Sequence, residues 1–573
     1  MSAELSASFG QSASEAMGGR RNAVELYVRT YSTMLQSSGQ IRVSALQQAH
    51  LAMQSSLHPL AADPQSDMGA LLYSVRRLPL CVSRSRSVVM GQSPADFSKV
   101  LGGSVTDWQR VTAPARRRWW YFDGRDTMAV FVASSSDIDD LVPVLVAYQI
   151  EWNKLHRLAQ STDDPEQLRT SCGASADDWS RLIEAWQLTP QAALDMVKAE
   201  PMDLRLRLLS GSHLGYARAA RDWWSPMAQA ISDLGLSGSQ LYFVSSNMHS
   251  LVNMLSGVGR HFEEQTLQVV REVNDRELIE EWERIHSGAS RASRDNWLYY
   301  ATRHLFDRHP ERQRLRQIRG DLEAQSGIKT VLPNQGVAVG AQVVRLNQLH
   351  PDRVDARIGT LDPDRLKSST AGIVNIDYPL GLAAYHLFCE FAEQHPQVAG
   401  VYILGKAATL NADVGDVLIP NLVFNEHSGN TYWLDNCFCA DDVSPHLMFG
   451  SVLDNQRAVA GRGTYLQNRN YLDFYYHGRF TVLEMEAGPY LDAVFEATQP
   501  SRHPINENIN AARLPFDLGV VHYASDTPYT QARTLGARGL SYRGMDSTYA
   551  SAVAILRRIL GQEGILAGAA TQS

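Results

Sequence analysis

The hydrophobic pattern of the chain changes along its length, from helical periodicity to an alternation of strands and helices. From Asn22 to Met53, apolar residues recur three and four positions apart, which predicts helices. Further helices are predicted at 68–78, 175–188 and 249–255, and strands at 127–133 and 241–244. The first 330 residues therefore indicate a large, mainly helical α/β region.

A regular α/β alternation begins at Ala371. Strands are predicted at 372–377, 398–404, 417–420, 422–425, 431–433, 480–485 and 518–524. Helices are predicted at 379–394, 464–476, 489–497 and 547–560. Strands that alternate with helices favour a mixed, mostly parallel sheet with helices on its faces.

The length and the local composition predict more than one domain. A chain of 573 residues is too long for a single hydrophobic core. Residues 1–20 are rich in Ser, Ala and Gly and predict a flexible arm, and the composition shifts to Gly, Val and Pro after Gly327. We therefore expect a helix-rich domain at 21–330, a linker at 331–370 and a second domain at 371–573.

Composition and charge are those of an ordinary globular protein, with 44% hydrophobic and 20% charged residues. The net charge of −8 argues against a general nucleic-acid binder, so we interpret the basic and aromatic segment 116–122 as aromatic residues entering a core. No apolar run reaches the length of a membrane span or a signal peptide. Five cysteines are too few for a disulfide framework. These features together predict a cytoplasmic protein.

Two strand–serine–helix units raise the question of phosphate binding. The serines at 134–136 and at 245–246 each follow a predicted strand and precede a helix. Amides at a helix start bind phosphate, but serine more often serves there as a helix cap. Ser136 and Asp139 have the spacing of a capping box, and we favour the capping interpretation.

Acidic side chains end the predicted strand at 480–485. Glu484, Met485 and Glu486 come directly after an apolar run, and Ala487-Gly488-Pro489 then opens a helix. A buried carboxylate needs partners, so packing alone does not explain this pattern. Ligands of α/β sheets bind outside the carboxyl ends of the strands. The segment therefore predicts the centre of a binding site.

Three further strand ends carry polar residues, at Asp377, at 405–409 and at Ser525-Asp526. Together with Glu484-Met485-Glu486-Ala487 and the run 415–420 (Gly-Asp-Val-Leu-Ile-Pro), they stand in the order of the motifs of a known family. Residues 371–561 resemble the nucleoside phosphorylase/nucleosidase superfamily. The run Ser525-Asp526-Thr527-Pro528 is most similar to its AMP nucleosidase branch.

The resemblance implies cleavage of the N-glycosidic bond of a purine-type nucleoside or nucleotide. It implies that Glu486 holds the ribose hydroxyls, that Met485 packs on the ribose and that Asp526 is the general acid for the leaving base. The transition state of such a cleavage resembles an oxocarbenium ion, which a carboxylate stabilises. Glu484 shares the face of Glu486 by strand alternation and has no assigned task. The resemblance also implies a homo-oligomer. We predict no cofactor.

The nucleophile is where the chain departs from the phosphorylases. Their phosphate arginines are absent from the turn after Asp377, and the second turn offers only Lys406. A compact ammonium matches phosphate less well than a guanidinium does. We therefore expect hydrolysis, with Asp377 orienting or deprotonating water. Phosphorolysis with inorganic phosphate is the alternative, and an inert nucleotide-sensing or scaffold protein is a second.

Other candidate residues have weaker signals. We expect Ser525, Gly405, Thr409, Glu426 and His427 to contribute to substrate binding. A 5′-phosphate could also attract the arginines at 462 and 479, and one aromatic residue of 474–476 could stack on the base. Glu486 and Asp526 could instead cap the helices that follow them. Cys437 and Cys439 lack a second ligand pair at a suitable spacing, so no metal is predicted.

Overall fold

The computed structural model describes residues 21–528 and 544–567. The predicted arm at 1–20 lies outside these residues. The described residues form two β-sheets, each accompanied by helices. A mixed α/β fold is therefore confirmed.

The first sheet has six strands in the order β1-β6-β2-β5-β4-β3. They are β1 (Ile41–Arg42), β2 (Ser87–Gly91), β3 (Gln109–Ala113), β4 (Arg116–Phe122), β5 (Thr127–Phe131) and β6 (Arg205–Leu208). The central strand β2 runs parallel to β5 and β6, while β4 is antiparallel to β3 and β5. Trp120 and Phe122 of β4 are fully buried, as the core interpretation of this segment predicts.

Eight helices accompany the first sheet in the described part of the chain. They are α1 (Arg21–Ser37), α2 (Gln47–Met53), α3 (Met68–Val75), α4 (Pro94–Leu101), α5 (Ser135–Ala159), α6 (Pro165–Ser171), α7 (Ala176–Trp186) and α8 (Pro190–Ala199). The predicted capping box at the start of α5 is wrong. Asp137 accepts the amide of Ala133, and the Ser136 hydroxyl accepts the amide of Leu382 from the second sheet's part of the chain. Ser136 therefore joins the two parts instead of capping its own helix.

The second sheet has eleven strands in the described residues. They are β7 (Leu241–Ser246), β8 (Ile328–Val331), β9 (Ala341–Arg345), β10 (Gly372–Asp377), β11 (Val398–Thr409), β12 (Val417–Asn425), β13 (Thr431–Trp433), β14 (Val452–Ala460), β15 (Val482–Glu484), β16 (Asn508–Asn510) and β17 (Asp517–Asp526). The order is β16-β13-β12-β14-β15-β11-β7-β10-β9-β8, and β17 pairs with both β11 and β12. The pairings of β11, β15, β14, β12 and β17 thus close into a ring.

Strand β7 holds a central place in this sheet. It runs parallel to β10 on one side and to β11 on the other, with Leu241 opposite both Gly372 and Val398. All six residues of β7 are buried. The sheet therefore draws a strand from the range 21–330 and also includes β9, from the range predicted as a linker. The division predicted at 331–370 does not coincide with an edge of the sheet.

Helices cover both faces of the second sheet. They are α9 (His213–Asp233), α10 (Ser250–Ser256), α11 (Val258–His261), α12 (Glu263–Glu272), α13 (Arg276–His286), α14 (Arg294–Arg308), α15 (Arg312–Gln325), α16 (Pro363–Ser368), α17 (Leu382–Gln394), α18 (Ala440–Val443), α19 (Arg469–His477), α20 (Ala487–Thr498) and α21 (Gly544–Gln562). Successive residues of β10 enter different cores. Val374 packs with α9, α17 and α20, and Ile373 packs with α10 and α21. Burial on both faces explains the continuous apolar run of β10.

The loop before α19 anchors the second part of the chain in the first. Tyr465 belongs to the core of the first sheet, where its hydroxyl donates to the carbonyl of Ala70 at 2.9 Å and lies 2.7 Å from the Ser74 hydroxyl. The sequence predicts a helix from 464, whereas α19 begins at Arg469 because Asn468 caps it. The residues just before this cap are left to pack against the first sheet.

Candidate functional site

A cavity of about 550 Å³ is lined by residues from both sheets and the loops that follow their strands. The second sheet contributes residues at or near the ends of β7, β10, β11, β15 and β17. The first sheet contributes residues of β4 and the turn after α3. This volume is in the range of small-molecule sites, and both parts of the chain are needed to enclose it.

The end of β15 places two carboxylates at the cavity. Both Glu484 and Glu486 line it, together with Met485. Glu484 accepts the amides of Glu486 and Ala487 at 2.6 and 2.7 Å, and its other carboxylate oxygen has no partner among the described residues. Burial raises the pKa of Glu484 to about 7. Burial and the neighbouring Glu484 raise the pKa of Glu486 to about 8.

The end of β17 places Asp526 and Ser525 at the same cavity. The Asp526 side chain is almost fully buried, and the Ser525 hydroxyl donates to its carboxylate at 3.0 Å. The Lys406 side chain also lines the cavity. Burial lowers the pKa of Lys406, while the charge of Asp526 acts in the opposite direction. Three strand ends thus bring opposite charges to one space.

The end of β10 places Asp377 at the cavity, in an ion pair with Arg117 of β4. Arg117 also donates to the carbonyl of Tyr378 at 2.8 Å. The turn after Asp377 contains no arginine, but β4 of the first sheet places the Arg117 side chain next to Asp377. The sequence of 116–122 does not predict this role, because its arginines stand beside aromatic residues that are typical of a core strand.

Further cations of the first part of the chain line the cavity. They are Arg76 and Arg77 after α3 and Arg116, Arg117 and Arg118 on β4. Arg118 binds Asp137 and Asp140 at 2.8 Å each, and Arg116 binds Asp140 at 3.0 Å. These two arginines lower the pKa of Asp140. The sequence alone did not predict that this group of cations faces the acids of the second sheet.

Four of the predicted site residues lie outside the cavity lining. Gly405 faces the His522 ring, which a side chain at 405 would contact at 2.7 Å. The Thr409 hydroxyl accepts the amides of Asn411 and Ala412, so it shapes a turn. Glu426 accepts the Tyr475 hydroxyl at 2.6 Å and the amide of Arg462 at 3.1 Å.

His427 is the fourth of these residues. Its Nε2 is buried without a hydrogen-bond partner among the described residues, and burial lowers its pKa to about 3. The imidazole is therefore neutral. Two residues of the serine unit after β7, Asn247 and His249, do line the cavity. The sequence predicts neither of them as a site residue, although it raises phosphate binding as an alternative for this serine unit.

The described residues contain no group of three or more His, Cys, Asp or Glu side chains arranged to hold a metal ion. Within 21–528 and 544–567, no helix is long and apolar enough to cross a membrane. All five cysteines are free.

Comparison of the sequence with known families gives one match, to a family of unknown function (DUF6909), over residues 43–561. The chain belongs to this family. The matched range includes the second sheet, the first sheet except β1, and every cavity residue named above. The family description assigns no activity. Comparison with curated proteins gives no match.

Solved structures that resemble the chain in part are nucleosidases and nucleoside phosphorylases. A putative methylthioadenosine nucleosidase from Weissella paramesenteroides is 12% identical, covering 42% of this chain and 91% of its own, with a TM-score of 0.27. The 5′-methylthioadenosine/S-adenosylhomocysteine nucleosidase of S. pneumoniae is 12% identical, covering 42% and 94%, with a TM-score of 0.29. Uridine phosphorylase from Schistosoma mansoni is 12% identical, covering 34% and 73%, with a TM-score of 0.24. Structural similarity at these TM-scores supports no conclusion about the chain.

Proposed function

We propose that the chain cleaves the N-glycosidic bond of a purine-type nucleoside or nucleotide. One observation carries the proposal: Glu486 and Asp526, from separate strands, line a single cavity together with Glu484 and Met485. Cleavage of this bond needs a group that stabilises positive charge on the sugar and an acid that protonates the leaving base. The cavity offers carboxylates for both tasks, from two strands of the second sheet.

We assign the ribose to the end of β15. The free carboxylate oxygen of Glu484 and the carboxylate of Glu486 are acceptors for the sugar hydroxyls. In its ionised form Glu486 also favours the positive charge that develops on the ribose. Met485, between them, supplies an apolar contact for the sugar ring.

We assign the leaving base to Asp526 and the nucleophilic water to Asp377. Ser525 holds the Asp526 carboxyl group in place through its hydroxyl. Asp377 is paired with Arg117, and a carboxylate beside a guanidinium is a weaker base. Its task in this proposal is therefore to orient water, with the proton leaving to solvent after attack.

The substitution Asp526→Asn tests the assignment of the acid. An asparagine cannot donate the proton, so we expect release of the base to fall by about 10²–10⁴-fold while ligand binding is retained. Base release is measured by chromatography over a panel of purine nucleosides and their 5′-monophosphates. Asp441→Asn, at an exposed position in α18, is the matched control and is expected to leave the rate unchanged.

The sugar product of the reaction shows whether the nucleophile is water or phosphate. Hydrolysis gives free ribose or ribose 5-phosphate in phosphate-free buffer. Formation of ribose 1-phosphate only when inorganic phosphate is supplied would overturn the assignment to water and leave phosphorolysis. The arginines of β4 are the observation that favours this second candidate. If wild type and Asp526→Asn bind a nucleoside equally and both release no base, the chain is a sensor and not an enzyme.

A further inference from the structure

A buried guanidinium at the cavity lacks a carboxylate partner. Arg77 is 5% exposed and lines the cavity. Its Nη1 donates to the carbonyl of Tyr73 at 3.1 Å, and its guanidinium lies 3.4 Å from the centre of the Tyr73 ring. Its Nε has no partner among the described residues. A buried charge costs free energy unless an opposite charge compensates it.

The acid of α5 whose charge acts on Arg77 is already engaged by other arginines. Asp140 accepts from both Arg116 and Arg118. No carboxylate of the described residues lies within ion-pair distance of Arg77. The positive charge of this wall is therefore not balanced by its own acids.

The opposite wall adds a further cation, Lys406, beside the acids Glu484, Glu486 and Asp526. Burial raises the pKa of both glutamates, which makes them weaker counter-charges. The Lys406 side chain is exposed to the cavity, and the nearby charges of Arg117, Arg77 and Arg116 lower its pKa further than burial alone. Cations that repel one another across a cavity indicate that an anion belongs between them. Asp526 is the acid that offsets Lys406, and the proposed function needs it for the base.

We propose that Arg77, Arg117 and Lys406 form a binding site for a phosphoryl group. The guanidinium fork of an arginine binds two phosphate oxygens, and an ammonium adds a point charge. Arg117 has donors left for an anion beyond those that bind Asp377 and Tyr378. The proposal rests on the proposed function for the remainder of the ligand. The phosphoryl group is either the 5′-phosphate of a nucleotide or free inorganic phosphate.

Equilibrium binding tests the site without requiring turnover. Inorganic phosphate, adenosine and adenosine 5′-monophosphate are titrated by calorimetry into the full chain carrying Asp526→Asn. The same titrations are made with Arg77→Gln and, separately, Lys406→Gln added. Arg86→Gln is the matched control, because Arg86 is exposed, pairs with Glu200 at 3.0 Å and does not line the cavity.

Two results would support the site, and they differ in whether the bound phosphoryl group is a 5′-phosphate or free phosphate. If adenosine 5′-monophosphate binds at least about tenfold more tightly than adenosine, and Arg77→Gln and Lys406→Gln each remove this difference, the ligand is the 5′-phosphate. If the nucleoside and the nucleotide bind equally, while both variants weaken inorganic phosphate about tenfold, the ligand is free phosphate. Arg86→Gln leaves either preference unchanged.

The proposal is overturned if Lys406→Gln changes the affinity for neither phosphate nor nucleotide. The Lys406 side chain faces the open space of the cavity, so we expect Lys406→Gln to fold even if Arg77→Gln does not, which circular dichroism detects. Failure of the proposed function looks different. In that case the anion still binds and its affinity still depends on Arg77 and Lys406, but no base is released by the wild-type chain.

Discussion

Two glutamates at the end of β15 stand two residues apart and have different surroundings. Glu484 faces the first amides of α20, while Glu486 is near the charges of Arg116 and Arg117. The sequence predicts an acidic pair with one assigned member, Glu486. A helix-capping role for Glu486 is the alternative prediction, but the side chain that accepts the helix amides is that of Glu484. Alternation along the strand places both side chains on one face, but β15 ends at Glu484 and the backbone of Glu486 is already helical. The alternation therefore could not predict this difference.

The raised pKa of Glu486 predicts how stability depends on pH. Burial and Glu484 raise this pKa to about 8, so at neutral pH the folded chain holds a proton that the unfolded chain has released. The stability that this group contributes is full below about pH 4 and is lost as the pH rises through 8. In Glu486→Gln the side chain cannot ionise. We expect the Tm of the wild type to fall relative to that of Glu486→Gln between pH 5 and pH 9.

Scanning calorimetry of both proteins across this range checks the expectation. Glu507→Gln, at an exposed residue paired with Arg502, controls for loss of one carboxylate. Parallel Tm curves for wild type and Glu486→Gln would mean that Glu486 titrates with an ordinary pKa.

At the scale of elements, α20 begins on a side chain from the strand before it. The helix starts at Ala487, two residues before the predicted Pro489, because Glu484 binds the amides that open the first turn. The predicted helix at 464–476 loses its first residues for a related reason, since Asn468 caps α19. Periodicity located these helices, whereas their first residues depend on side chains whose direction the sequence does not give.

Removal of the Glu484 side chain tests its capping role. In Glu484→Ala the amides of Glu486 and Ala487 lose their acceptor in a buried place, and we expect unfolding to become easier by about 1–3 kcal/mol. In Glu484→Gln the amide oxygen can still accept both, so the loss is expected to be smaller. Urea unfolding followed by fluorescence gives both free energies. Equal destabilisation by the two substitutions would assign the effect to charge and not to capping.

At the scale of the whole molecule, the candidate site is assembled from segments far apart in the chain. Local patterns predict most strands of the second sheet and the strand ends that carry Asp377, Glu486 and Asp526, and these residues do line one cavity. The partners of β7 and the contribution of β4 could not be predicted in this way. More than a hundred residues separate β7 from β10, and no single-sequence pattern encodes such a pairing.

The turns at 377 and 406 lack arginine in sequence, and the arginine near Asp377 could not be predicted for the same reason. The expectation of hydrolysis was based on the residues next to each strand end, but Arg117 reaches Asp377 from another sheet. A sequence motif that considers only neighbouring residues cannot detect a charge that a distant segment supplies. The water assignment therefore now depends on the product measurement and not on the missing arginines.

The position of β7 predicts that residues 371–573 do not fold alone. Without β7, the strands β10 and β11 both lose their parallel neighbour, and backbone groups in the middle of the sheet are left without partners. We expect this fragment to lack the cooperative urea transition of the full chain, as followed by circular dichroism. A cooperative transition in the fragment would mean that β10 and β11 can pair without β7.

The place of β7 also affects how the protein is made. On the ribosome this fully buried strand emerges about 150 residues before β11. At about 5–20 residues per second, it waits on the order of ten seconds for both of its neighbours. Residues 21–208 have by then emerged in full and can close their own sheet. Nascent β7 thus stays without its sheet partners during this time, and its apolar residues are open to contacts with other chains.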